Sequence, residues 1–139
     1  MKKFHRLYIE FLYYFNIERD YYECHEVMEE YWMNQGNNGW LQSLLQVAVG
    51  LHHFRNQNIN GAIKLFEQAL RKKEIHWDGT LGIDDLQLFQ QVEDYVNKLY
   101  RYEQEPFSFY DLTIKITDPS LRQLVEQCVP EGVDEDDKF

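Results

Sequence analysis

The chain has 139 residues and a formal net charge of −10, from 24 acidic and 14 basic side chains. A chain of this length is expected to form one domain with a core that needs neither disulfides nor a structural metal. Apolar residues make up 44% of the sequence and aromatic residues 16%, which excludes disorder of the main body. The negative charge argues against nucleic-acid binding and against binding to anionic membrane surfaces.

The two cysteines, Cys24 and Cys128, do not form a CxxC motif. Such sparse use of cysteine is typical of a reducing compartment, so we expect a cytoplasmic protein without disulfides. The segment 4–15 is interrupted by charged residues, among them Arg6 and Glu10, and its apolar residues have helical spacing. This pattern argues against a signal peptide.

Apolar residues at helical spacing predict a first helix over residues 4–15, followed by a turn at 16–19. A second helix is predicted over 21–34. Asp20 is its expected N-cap, because Glu23 stands three residues later in the capping-box position.

The third predicted helix, 40–57, has no charged residue before Arg55. A helix without charge around most of its circumference is usually buried on most sides, so we expect it to be central. The short connection 58–61 predicts that a fourth helix packs antiparallel to the third. Asp84 is the expected N-cap of a fifth helix, which extends to about Leu99.

The pattern changes after the fifth helix. Leu112, Ile114 and Ile116 alternate with polar residues within 107–117, and this alternation favours an extended segment. Because a single strand has no partner here, we expect it either to cross the bundle or to pair between subunits. A short helix is predicted from residue 119, where proline occupies the first helical position.

The predicted fold class is therefore all-α, a single-domain bundle of about five to six helices with a short extended segment near the C-terminus. We assign residues 1–130 to this bundle domain. Residues 131–139 contain five acidic residues and one lysine, and we expect them to form a disordered acidic tail.

One face of the second helix carries residues suited to chemistry. His25 and Glu29 are four residues apart, and Trp32 is seven residues after His25, so the three side chains share one helix face. Met28 is on the same face and would set the polar pair among large apolar groups. We expect this face to point inward.

The third helix offers a matching ridge. Gln42, Gln46 and His53 recur at helical spacing, with Gly50 beside them. Glycine costs about 1 kcal/mol relative to alanine inside a helix, so we expect it to allow the close approach of a bulky neighbour such as Trp32. The side chains that line the site would then be Met28, Trp32, Gln42 and Gln46.

The functional interpretation is a metal site. Imidazole and carboxylate ligands suit zinc, iron or manganese, and helical bundles build such sites from histidine and glutamate. His25, Glu29 and His53 are the candidate ligands, and Glu26 is either a fourth ligand or the catalytic base. A metal-bound water could then attack a small-molecule substrate, as in hydrolases. The residue at position 29 is glutamate, so the HExxH motif of zinc proteases is absent.

The alternative is structural. A buried His25 that donates to Glu29, with Gln46 completing the network, satisfies every polar group without a metal. The protein would then be a non-catalytic module that binds another protein or itself. It would use the aromatic first helix and the segment 107–117, and a homodimer is one expected outcome. Both interpretations stay open at this point.

The chain resembles the bacterial and archaeal family called domain of unknown function 309, whose motif is HxxxExx(W/Y). Here that motif is His25, Glu29 and Trp32. The resemblance covers about residues 5–100 and leaves the stretch from Phe107 outside. It implies a helical bundle and a suspected metal-binding motif. The third helix offers no second carboxylate opposite the motif, which argues against a di-metal carboxylate centre. The resemblance continues through Leu41, Gln42, Gln46, Val47, Ala48, Val49, His53, Asn58, Gly61, Ala62, Leu81, Gly82, Ile83 and Asp84.

Overall fold

The computed structural model describes residues 4–34, 39–75 and 79–131. These ranges contain, in order, α1 (Arg6–Tyr13), a π-helical turn (Tyr14–Glu18), α2 (Tyr21–Asn34), α3 (Gly39–Arg55), α4 (Ile59–Lys72), α5 (Asp85–Tyr100) and α6 (Pro119–Glu126). The all-α fold class with six helices is confirmed. Within the described ranges, the only β pairing outside the helices is a single antiparallel bridge between Ile83 and Ile116.

The predicted helix starts are confirmed by their caps. Asp20 Oδ1 accepts the backbone N–H of Glu23 at 3.1 Å, and Asp84 Oδ1 accepts that of Gln87 at 3.0 Å. Asp118 caps α6 in the same way. Each carboxylate satisfies a backbone donor that has no partner within its own helix, which fixes where the helix begins.

The first helix ends differently from the prediction. The α-helical geometry changes at Tyr14 to a π-helical turn, and this turn ends at Arg19, which has a φ of 56°. Phe15 stays fully buried within the turn, while Asn16 is half-buried. Apolar spacing cannot distinguish an α-helix from a single π turn, because both keep Phe11 and Phe15 on the core side.

Helix α3 is buried on most of its circumference, as predicted, and packs against both α2 and α4. Gly50 explains part of this packing. A Cβ atom at position 50 would lie 2.6 Å from the ring of Phe66 on α4. The bulky neighbour of Gly50 is therefore Phe66. The expected approach of Trp32 is wrong, because the small-residue side of α3 faces α4.

The extended segment after α5 crosses the bundle, which is the first of the two predicted arrangements. Leu112, Ile114 and Ile116 are buried. Asn16 holds the segment at its centre, since its Nδ2 donates to the Ile114 carbonyl and its Oδ1 accepts the Ile114 N–H, both at 2.9 Å. The backbone N–H of Asp84 donates to Lys115 O at 2.9 Å on the other side.

The two cysteines are free, and Cys24 is buried within the core. Burial raises the pKa of its thiol well above the usual value. In the described ranges, every helix is too short or too polar to cross a lipid bilayer. The predicted acidic tail lies outside the described residues from position 132 onward, and the domain boundary at residue 130 stays a prediction.

Candidate metal centre

The register of α2 decides which of its side chains reach solvent. Tyr21, Cys24 and Met28 form the core face of this helix, and all three are fully buried. Each residue turns about 100° around the helix axis, so His25 and Glu29, which directly follow buried residues, are turned away from the core. The expected inward orientation of His25 and Glu29 is therefore wrong. The face of α2 that packs against the core contains Cys24 and Met28, each of which stands one residue before a member of the pair.

His25, Glu26 and Glu29 form a compact group on this outer face. His25 Nδ1 lies 3.4 Å from Glu26 Oε2, and His25 Nε2 lies 4.0 Å from Glu29 Oε1. The three side chains offer one ligand atom each, and these atoms all lie within 4.8 Å of one another. The side chains of His25, Glu26 and Glu29 are 34%, 48% and 50% exposed, so the group opens to solvent.

The donor set of this group fits a divalent metal ion. One imidazole and two carboxylates are ligands that zinc, iron and manganese accept. Ligands lie about 2.0–2.2 Å from a bound ion, so two ligand atoms on one ion are separated by less than the 4.8 Å that limits the separations found here. The exposed glutamate side chains would therefore rotate inward on binding. The protein thus has an exposed group that could bind a metal ion, with coordination positions left for solvent.

His53, the third ligand expected from the sequence, lies outside this group of three. Its Nδ1 is 3.2 Å from Asn58 Nδ2, where α3 leads into α4. Gln46 Nε2 donates to Gln68 Oε1 of α4 at 3.0 Å. The side chain of Gln46 therefore joins α3 to α4, and the predicted buried network with His25 does not form.

The other expected lining residues are buried or half-buried. Met28 is fully buried within it, and Trp32 and Gln42 are half-buried. Trp32 packs against the core, where its Nε1 is buried without a hydrogen-bond partner among the described residues. Glu26 is in the group as expected, although its role there stays a prediction.

Tyr22 is the neighbour of His25 that the motif does not include. Its ring centroid lies 6.3 Å from that of His25 and 6.0 Å from that of His52 on α3. Burial lowers the pKa of His52, and the charges of His53, Arg55 and His25 lower it further. The sequence carried a signal for Tyr22, because it stands three residues before His25 and therefore on the same helix face.

Comparisons with known proteins agree with the predicted resemblance. The model of the family described as "Domain of unknown function (DUF309)" matches residues 8–65. This range contains α2, α3 and the group formed by His25, Glu26 and Glu29, which we call the metal group. The chain is also 35% identical over 107 residues to "Uncharacterized protein YpuF" of Bacillus subtilis (strain 168). That alignment covers 70% of this chain and 61% of the relative, so the chain spans less than two thirds of the relative's length. Residues 8–65 are therefore similar to the DUF309 family, and the chain is similar to the Bacillus subtilis protein over the 107 aligned residues.

Proposed function

We propose that His25 and Glu29 bind one divalent metal ion, which is zinc, iron or manganese, and that Glu26 completes the site by orienting the His25 ring. The observation that carries this proposal is the convergence of three ligand atoms within 4.8 Å on one face of α2. An imidazole and two carboxylates bring a formal charge of −2, which offsets the charge of a divalent ion. The exposure of the group leaves a path by which the ion can enter from solvent.

The two ring nitrogens of His25 suggest a division of roles. Its Nε2 faces Glu29, so these two residues are the proposed ligands, while its Nδ1 lies 3.4 Å from Glu26 Oε2. A metal-ligating histidine usually donates its other N–H to a carboxylate, which fixes the ring and raises its basicity. Glu26 Oε2 is near enough to accept that hydrogen bond after a small rotation of its side chain.

A hydrolytic reaction on a small molecule is the finer proposal for this site. A divalent ion bound there would supply Lewis-acid activation of water and substrate. Glu26, which the sequence suggested as the base, faces the other ring nitrogen of His25, so we assign it the orienting role instead. The open side of the group gives a substrate access to these residues.

A titration of chelator-treated protein with zinc or manganese, followed by calorimetry, tests the assignment. His25→Ala and Glu29→Ala should abolish saturable binding, and Glu26→Gln should weaken it roughly 10- to 100-fold because the ring loses its orienting partner. Glu30→Gln is the matched control, since Glu30 is an exposed carboxylate on the same helix outside the group. If Glu26→Gln and Glu30→Gln weakened metal binding equally, the ion would be held by general acidic surface charge and not by a specific site.

The non-catalytic alternative relied on the aromatic first helix and on the segment 107–117. Phe107 and Phe109 pack against the core, where the Phe107 ring centroid lies 5.2 Å from that of Phe54. Because these two rings pack against the core of their own chain, less aromatic surface is left in this segment for binding a partner. A homodimer stays a prediction, and light scattering on the eluting protein would measure the mass that decides it.

A further inference from the structure

A half-open cavity beside α1 shares no residue with the metal group. It encloses about 290 Å³ between the start of α1, the end of α2, the start of α3 and the loop that precedes α5. Its aromatic walls come from three parts of the chain: Phe4 and Tyr8 at and just before α1, Tyr31 of α2 and Trp40 of α3. Most of the wall area is therefore apolar ring surface.

The aromatic walls are held in place by the fold. Tyr8 is buried, and its hydroxyl donates to Leu81 O at 2.7 Å, which fixes the ring. The Tyr8 ring centroid lies 6.1 Å from that of Trp40, with the two planes at 84°. The centroids of Phe4 and Tyr31 lie 6.2 Å and 6.4 Å from that of Tyr8. These rings form walls at different angles around one space.

The electrostatics of this cavity favour a positive charge. The face of an aromatic ring is negative and attracts cations. None of the described residues that line the cavity is a lysine or an arginine. His5 also lines the cavity, and its Nδ1 accepts the backbone N–H of Leu7 at 3.0 Å. The net charge of −10 adds long-range attraction for cations.

We propose that this cavity binds a small cation with a methylated ammonium group. A bare ammonium group needs several hydrogen-bond acceptors, whereas most of this wall is apolar ring surface. Methyl groups on the nitrogen remove that need and match the apolar ring surface. The charge spreads over the methyl groups, where ring faces attract it.

Choline and tetramethylammonium are the probes, and calorimetry or chemical-shift changes report their binding. The control ligand is dimethylbutanol, which has the shape of choline with carbon in place of the charged nitrogen. We expect the two cations to bind and the neutral compound to bind roughly tenfold more weakly or worse. Equal affinity for choline and dimethylbutanol, or no binding of choline at millimolar concentration, would overturn the proposal.

Matched variants locate the binding. Trp40→Leu and Tyr31→Leu should lose choline binding, while Tyr31→Phe keeps the ring and should retain it. Trp32→Phe alters a tryptophan outside the cavity and should also retain it, and circular dichroism verifies that each variant folds. Loss of binding in Trp32→Phe equal to that in Trp40→Leu would contradict the assignment.

Cosedimentation with phosphatidylcholine vesicles distinguishes two sources of the methylated ammonium group. If the ligand is a lipid headgroup, the protein should sediment with the vesicles, and if it is a free small cation, the protein should stay in the supernatant.

Discussion

A methyl group at position 50 would stand 2.6 Å from the Phe66 ring, which is fully buried and has little room to move. We expect Gly50→Ala to destabilise the protein by roughly 1 kcal/mol or more, because the cost of overpacking exceeds the gain in helix propensity. Urea unfolding measures the change. In a Phe66→Leu background the same substitution should cost less, and an unchanged cost would show that Phe66 is not the obstacle.

His25 shows why a single residue is hard to orient from sequence. The spacing of His25, Glu29 and Trp32 correctly predicts neighbours on one face of a helix. It does not say which way that face points. Cys24 and Met28 lie on the buried face of α2, although the spacing had placed Met28 on the same face as His25. Because α2 is mixed in polarity around its circumference, two registers that differ by one residue fit its sequence almost equally well.

Among the larger elements, the extended segment depends on Asn16 in the π-helical turn. Its amide makes two hydrogen bonds to the backbone of Ile114, which is buried. Asn16→Ala would leave the N–H and C=O of Ile114 without partners, at a cost of about 1–3 kcal/mol. Hydrogen exchange at Ile114 and the free energy of unfolding should both report the loss.

Asn97→Ala is the control for that substitution, since Asn97 is exposed on α5. It should change the free energy of unfolding by less than about 0.5 kcal/mol. If both asparagine variants behaved alike, the segment would be held by its buried apolar side chains alone.

The helices were predictable from sequence to a large degree, because capping residues and apolar periodicity are local signals. Asp20, Asp84 and Asp118 mark the starts of three helices in both the sequence and the structure. The π-helical turn and the partner of Gly50 were not predictable. Both depend on contacts between segments far apart in the chain, such as that of Asn16 with Ile114, and the local sequence pattern carries no sign of such contacts.

For the whole molecule, buried tyrosines predict a loss of stability in alkali. Burial is the main cause that raises the pKa of Tyr8, Tyr21 and Tyr95. In the unfolded chain these phenols lose their protons near a pKa of about 10. Their contribution is therefore complete below about pH 10 and falls as the pH rises toward the folded-state values.

Unfolding by urea between about pH 8 and about pH 11 measures this effect, and we expect the free energy of unfolding to fall over that interval. The Tyr95→Phe variant cannot ionise at position 95, so its fall should be smaller. A free energy of unfolding that stays constant over the interval would contradict the burial of these three hydroxyl groups.

The metal group is the feature on which the proposed function rests, and the metal content of the protein tests it most directly. Elemental analysis of protein purified without chelator should find about one divalent ion per chain. The same content is expected in His53→Ala, since His53 lies outside the group. His25→Ala should lose the ion and keep its helical circular dichroism. Equal metal content in the His25→Ala variant and the unmodified protein would contradict the account.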